Sequence, residues 1–87
     1  MGKRRYPPLK PHEVVAILLA NNFKKKRQDG SHAQYELEAT EGSQRRLVTV
    51  DMSVSDFWED IIKSMIRQSG LTREEFYGAT RGTKKKL

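Results

Sequence analysis

The sequence predicts an α+β fold in which a three-stranded antiparallel sheet carries two helices on one face. Three observations predict it. Apolar residues recur at helical spacing near each end of the chain, and one central segment alternates strictly between apolar and polar residues. A second apolar segment follows a glycine turn. The order helix, strand, strand, strand, helix favours a sheet covered on one side.

The first helix is predicted to begin at Pro11, because proline suits the first helical turn. Its core side is predicted to comprise Val14, Val15, Ile17, Leu18 and Leu19. Asn21-Asn22 is predicted to end this helix. A short basic segment at 23–28 follows, and Asp29-Gly30-Ser31 predicts a turn.

The next two segments are predicted to form a hairpin. They are residues 32–39 and 47–52. A tight turn centred on Glu41-Gly42 places Ala33 opposite Val50, so that the apolar faces coincide. The same register places His32 opposite Asp51 on the polar face. A slip of two residues would keep the apolar face and break that pair.

The second helix is predicted from a broad apolar stripe. The stripe comprises Phe57, Trp58, Ile61, Ile62, Met65 and Ile66. Its capping candidates are Ser53, Ser55 and Asp56. Gly70 is predicted to end this helix. Thr72 and Glu75 then match a capping box, which predicts a further helical turn.

The net charge of +6 is concentrated at the two ends of the chain. Residues 1–10 and residues 78–87 carry four positive charges each, whereas residues 11–77 carry a net charge of −2. We therefore predict a basic N-terminal arm at 1–10, one domain at 11–77 and a basic C-terminal tail at 78–87. Both ends have few apolar residues with which to pack.

Several classes of protein are disfavoured by composition. The chain has no cysteine and two histidines, which disfavours disulfides and zinc sites and fits a reducing cytoplasm. It has no phosphate-binding or dinucleotide-binding glycine motif and no apolar run of transmembrane length. We expect a soluble cytoplasmic protein without a metal, a small-molecule cofactor or a membrane partner.

His32 is the strongest candidate for chemistry. It follows a Gly-Ser turn and opens a strand on the solvent side. An exposed imidazole exchanges protons near neutral pH and can serve the proton transfers of RNA cleavage. Gly30 and Ser31 are predicted to let a phosphate approach the backbone. Spacing alone, however, favours a turn histidine without a chemical role, because Gly-Ser-His is too short to be specific.

A cationic run precedes this turn. It comprises Lys24, Lys25, Lys26 and Arg27. One interpretation is phosphate binding beside His32. The other is an exposed edge strand that lysines protect against pairing with another chain.

Taken in order, these features resemble a known family. The run Asn22-Phe23, a basic segment and Arg27-Gln28-Asp29-Gly30-Ser31-His32 is similar to the HicA (YcfA-like) toxins of HicAB type II toxin–antitoxin systems. Val48-Thr49-Val50 resembles their third strand, and the segment from Ile66 to Phe76 resembles their closing motif. The similarity spans about 11–77.

The resemblance implies a fold like the double-stranded-RNA-binding domain. It also implies an mRNA interferase, a metal-independent RNA endonuclease that uses His32. Its implied partners are an mRNA substrate and a HicB-like antitoxin protein.

One segment departs from the family's pattern. Acidic residues occur between Asp51 and Asp60, where the family often has a Pro-x-His motif and a loop that carries Lys or Gly-Thr. These carboxylates would repel phosphate if they line the path of the RNA. Two alternatives therefore stay open: a non-catalytic RNA-binding module, and an interaction protein that uses Trp58 and the second helix.

Overall fold

The helices and strands follow the predicted order, including the short helix after the Thr72 and Glu75 capping box, and one further short helix follows at the end. A computed structural model describes residues 4–87; the first three residues of the predicted basic arm lie outside this range. The elements are α1 (Pro11–Ala20), β1 (Lys24–Asp29), β2 (His32–Leu37), β3 (Arg46–Asp51), α2 (Glu59–Ser69), α3 (Arg73–Gly78) and α4 (Arg81–Lys84). The strands form one antiparallel sheet in the order β1-β2-β3. The predicted α+β architecture is confirmed.

The hairpin register is the predicted one. Ala33 pairs with Val50 and His32 pairs with Asp51. The turn lies at Glu41-Gly42, where Gly42 has φ +87°, a conformation that glycine adopts without steric cost. The alternation of apolar and polar residues predicts this register, because a slip of one residue would move the apolar side chains to the solvent face.

Both long helices pack on the apolar face of the sheet. The core joins side chains of α1, β2, β3, α2 and α3 and includes Val14, Ile17, Leu18, Phe23, Ala33, Tyr35, Val48, Val50, Ile62, Met65, Phe76 and Tyr77. Leu19 and Ile61 were predicted to join it, but they are 53% and 49% exposed. Both helices therefore bury a narrower stripe than their apolar content predicts.

The start of α2 differs from the prediction. The helix begins at Glu59, and its N-cap, Trp58, makes no side-chain capping hydrogen bond. Phe57 is held in extended backbone instead, because its N–H donates to the Leu9 carbonyl at 2.7 Å and its carbonyl accepts from the Leu9 N–H at 3.2 Å. Ser53, Ser55 and Asp56 therefore stand outside the helix and do not cap it.

Two predicted helix signals are confirmed. Gly70 follows α2 with φ +76°, and its N–H donates to the carbonyls of Ile66 and Arg67. The Thr72 hydroxyl accepts from the Glu75 N–H at 3.1 Å, and the Glu75 carboxylate accepts from the Thr72 N–H at 2.8 Å. This capping box satisfies two N–H groups that a helix start otherwise leaves unpaired.

The C-terminal segment is packed, although its sequence predicted an unpacked tail. Thr83 in α4 is buried and donates to the Tyr77 carbonyl at 2.6 Å. Lys86 Nζ donates to the Pro8 carbonyl at 2.9 Å and to Glu13 at 3.0 Å. The last residues thus connect the N-terminal segment to α1. The division of the chain at 77 stays a prediction.

Candidate functional site

The face of the sheet opposite the helices carries polar side chains from all three strands. Paired residues of neighbouring strands share a face. Asp29, His32 and Asp51 are therefore neighbours across β1, β2 and β3. We call this surface the open face.

His32 is accessible and has an acidic neighbour. Its side chain is 62% exposed, and Nε2 lies 3.9 Å from Asp51 Oδ2. The two residues are directly paired across β2 and β3, so the backbone sets the proximity of their side chains. A carboxylate beside an imidazole can orient the ring and stabilise its protonated form.

Asp51 is itself oriented by the following turn. Its Oδ1 accepts from the Ser53 N–H at 2.9 Å and from the Ser53 hydroxyl at 2.6 Å. These two hydrogen bonds lower the pKa of Asp51; burial opposes them, and the Ser31 hydroxyl and His32 lower the pKa further. Asp51 is therefore a carboxylate at neutral pH, with Oδ2 turned toward His32.

The turn that precedes His32 is tight and accessible. Gly30 has φ +57°, and a Cβ placed there would meet no atom within 4 Å. Gln28 Nε2 donates to the Gly30 carbonyl at 3.0 Å, and the Ser31 carbonyl accepts from the Met52 N–H at 2.7 Å. The backbone is thus fixed on both sides of an open position where a ligand can approach the main chain.

All four predicted cationic residues lie in β1, and every residue of that strand is exposed. The pairing shifts between Lys25 and Arg27, which makes a bulge at Lys26. Because a bulge adds one residue, Lys24 and Arg27 both lie on the open face although they are three residues apart. Lys25 pairs with Tyr35 and therefore lies on the other face. The predicted cationic run is thus divided between the two faces.

Two carboxylates on the open face balance part of this charge. Arg27 contacts Asp29 at 2.8 Å, and Lys26 lies 4.0 Å from Glu36. Glu36 also accepts from Arg45, which lies just before β3. The Arg45 hydrogen bond is the largest cause of the lowered pKa of Glu36. Within residues 4–87, Lys24 and Lys25 form no ion pair, and Lys24, which lies on the open face, is the cation of this strand most available to a phosphate there.

The sequence predicted the pairing of His32 with Asp51 but missed the residue that holds the Asp51 carboxylate in place. Ser53 was predicted as a cap, whereas it binds Asp51. An Asp followed two residues later by Ser is a turn pattern in its own right, and this was the available signal. The second histidine, His12, lies in the first turn of α1, on the helix side of the sheet. The open face therefore has one histidine within residues 4–87.

Two further classes of site are not found. The described part of the chain has no group of three or more His, Cys, Asp or Glu residues arranged to hold a metal ion. Within the same residues, no helix is long and apolar enough to cross a membrane.

The fold and this surface define a class: a small α+β module like the double-stranded-RNA-binding domain, with an exposed histidine–aspartate pair on its open face. A comparison with family profiles identifies it further. The profile described as HicA toxin of bacterial toxin-antitoxin matches residues 11–71. The chain therefore belongs to the HicA toxin family, which implies a cognate antitoxin partner. A search of curated proteins finds no match.

Proposed function

We propose that this toxin is an RNA endonuclease that cleaves mRNA in the cytoplasm and that His32 carries the proton transfers. The observation that carries the proposal is the accessible imidazole of His32, which lies 3.9 Å from a carboxylate at the end of an open glycine turn. Membership of a toxin family supports the same assignment.

The chemistry requires few groups. The neutral imidazole of His32 removes the proton from a ribose 2′-hydroxyl, and the 2′-oxygen attacks the adjacent phosphorus. The bond from phosphorus to the 5′-oxygen breaks, and that oxygen takes a proton from the imidazolium or from water. The products are a 2′,3′-cyclic phosphate and a 5′-hydroxyl. A positioned general base accelerates such a step by about 10²–10⁴-fold.

The neighbouring groups are assigned supporting roles. Asp51, held by Ser53, orients the imidazole and stabilises its protonated state. Lys24 and Arg27 attract the phosphate backbone on the same face. The main chain of Gly30 and Ser31 receives a phosphate oxygen from the open side of the turn, where a Cβ placed on Gly30 would meet no atom within 4 Å. No step requires a metal ion.

The test compares the two histidines of the chain. Wild type, His32→Ala and the control His12→Ala are induced in bacteria, and growth and total RNA are followed. We expect arrest and RNA cleavage in the wild type and in His12→Ala, and neither in His32→Ala. Purified protein should cleave RNA in the presence of a chelator and leave 2′,3′-cyclic phosphate ends.

Folding is checked separately. Because His32 is exposed, its replacement should change the free energy of unfolding by less than about 0.5 kcal/mol. Arrest by a folded His32→Ala variant would refute the catalytic role. RNA binding without any cleavage by the wild type would favour a non-catalytic RNA-binding module.

A further inference from the structure

The acidic segment between Asp51 and Asp60, which an RNA-binding role does not explain, forms the wall of a cleft. The cleft has a volume of about 330 Å³ and lies between the end of β3 and the first turn of α2. Its apolar lining comprises Val54, Phe57, Trp58 and Ile61. Its acidic lining comprises Asp51, Asp56 and Asp60. We call it the acidic cleft.

The apolar part of the cleft is unusually accessible. Among residues 4–87, four large apolar side chains are exposed, and two of them, Trp58 at 52% and Ile61 at 49%, line this cleft. Aromatic and aliphatic side chains grouped in a concave site are typical of the centre of a protein interface.

The charge of the cleft selects the class of partner. The chain as a whole is strongly basic, yet all three charged residues of this lining are carboxylates. Asp56 lies 3.6 Å from Lys10, whereas Asp60 forms no ion pair within the described residues. Carboxylates repel phosphates, so the surface disfavours RNA and favours a cationic protein segment.

The protein itself shows which cation fits. The guanidinium of Arg4 lies 5.4 Å from the ring centroid of Trp58. This is the distance of a cation–π contact, which arginine makes more often than lysine. An arginine from another chain would find the same aromatic face, with Asp60 and Ile61 beside it.

We infer that the acidic cleft is a docking site for the cognate antitoxin, through a segment in which arginine side chains alternate with apolar ones. This inference rests on the proposed function for the identity of the partner. Asp51 lines the cleft and also lies beside His32, so a segment seated there would be next to the reacting face. Docking would therefore place the partner where it can obstruct RNA.

Trp58 is the sole tryptophan of the chain, so its fluorescence reports on the cleft directly. The full chain is titrated with a seven-residue peptide of alternating arginine and leucine, with a peptide of alternating glutamate and leucine, and with a single-stranded RNA of twelve nucleotides. We expect a saturable blue shift with the first peptide and none with the other two.

Matched variants assign the site. Asp60→Lys should weaken binding of the arginine–leucine peptide about tenfold, because it replaces an attraction with a repulsion. Ile61→Ser should weaken it about fivefold through loss of apolar contact. The controls are Glu41→Lys, an equal charge change in the hairpin turn, and Leu19→Ser, an equally exposed apolar residue of α1. Both should leave affinity unchanged.

The outcomes separate this inference from the proposed function. No response to the arginine–leucine peptide, or equal weakening in the control variants, would overturn the docking site even if RNA cleavage persists. A blue shift produced by RNA and reduced in Ile61→Ser would assign the cleft to RNA instead. If the wild-type protein cleaves no RNA but still responds to the arginine–leucine peptide, the ribonuclease proposal is refuted and the docking site is supported.

Discussion

Lys86→Met tests whether the C-terminal residues stabilise the fold. Lys86 Nζ donates to the Pro8 carbonyl and to Glu13, and the two side chains are only 31% and 20% exposed. Hydrogen bonds that involve a charged group contribute about 1.5–3 kcal/mol each when buried. Because these groups are partly solvated, we expect Lys86→Met to lower the free energy of unfolding by about 1–2 kcal/mol.

The pH dependence of the free energy of unfolding provides a second test of the Lys86 contact. Burial raises the pKa of Glu13, but the Lys10 N–H and Lys86 outweigh it, and the pKa is lowered from 4.5. As the pH falls, the Glu13 carboxylate is therefore protonated at a higher pH in the unfolded chain than in the folded chain. The stabilisation is fully present above about pH 4.5 and is lost as the pH falls through the folded pKa. The difference between wild type and Lys86→Met should shrink over that range.

Urea and thermal unfolding from pH 3 to pH 7 provide the assay. For a chain of this size, each kcal/mol corresponds to about 4–8 °C in Tm. Lys85→Met is the control, since Lys85 is exposed and forms no ion pair within residues 4–87. Equal stabilities of the two variants at pH 7 would refute the reasoning, because the contact with Glu13 and Pro8 would then contribute nothing.

Two further substitutions test the packing of α2. Gly70→Ala should cost about 1–2 kcal/mol in urea unfolding, because Gly70 has φ +76° and its new Cβ would lie 2.8 Å from the Arg46 guanidinium; an unchanged midpoint would contradict the left-handed cap. Ile62→Ala should cost about 2–5 kcal/mol, since Ile62 is fully buried, whereas Ile61→Ala should cost less than about 0.5 kcal/mol. Equal losses in the two isoleucine variants would show instead that α2 buries the whole apolar stripe that its sequence predicts.

The hairpin and its histidine could be predicted because local rules agree there. Alternation sets the buried face, a glycine turn sets the register, and together they place His32 opposite Asp51. The orientation of Asp51 was not predictable in the same way. Ser53 had two competing uses, as a helix cap and as a turn donor, and both have similar sequence signals.

The remaining differences arise from contacts between distant parts of the chain. The start of α2 depends on a backbone bridge from Leu9 to Phe57, and the apolar stripe alone predicts an earlier start. The packing of the C-terminus likewise depends on side-chain hydrogen bonds, which Thr83 donates to the Tyr77 carbonyl and Lys86 donates to the Pro8 carbonyl. Neither pairing leaves a periodic pattern in the sequence, so propensity and spacing could not reveal them.

The order of strands explains how one small surface can serve two opposite partners. His32 lies on the central strand, with the cations of β1 on one side and the acidic cleft beyond β3 on the other. Under the proposed function, phosphate is attracted from the β1 side, and under the docking inference a cationic protein segment is attracted from the β3 side. Both approach the same imidazole, and Asp51 belongs to both surfaces. The acidic segment, which opposes RNA binding, then has a physical reason, because it keeps the partner's surface free of RNA.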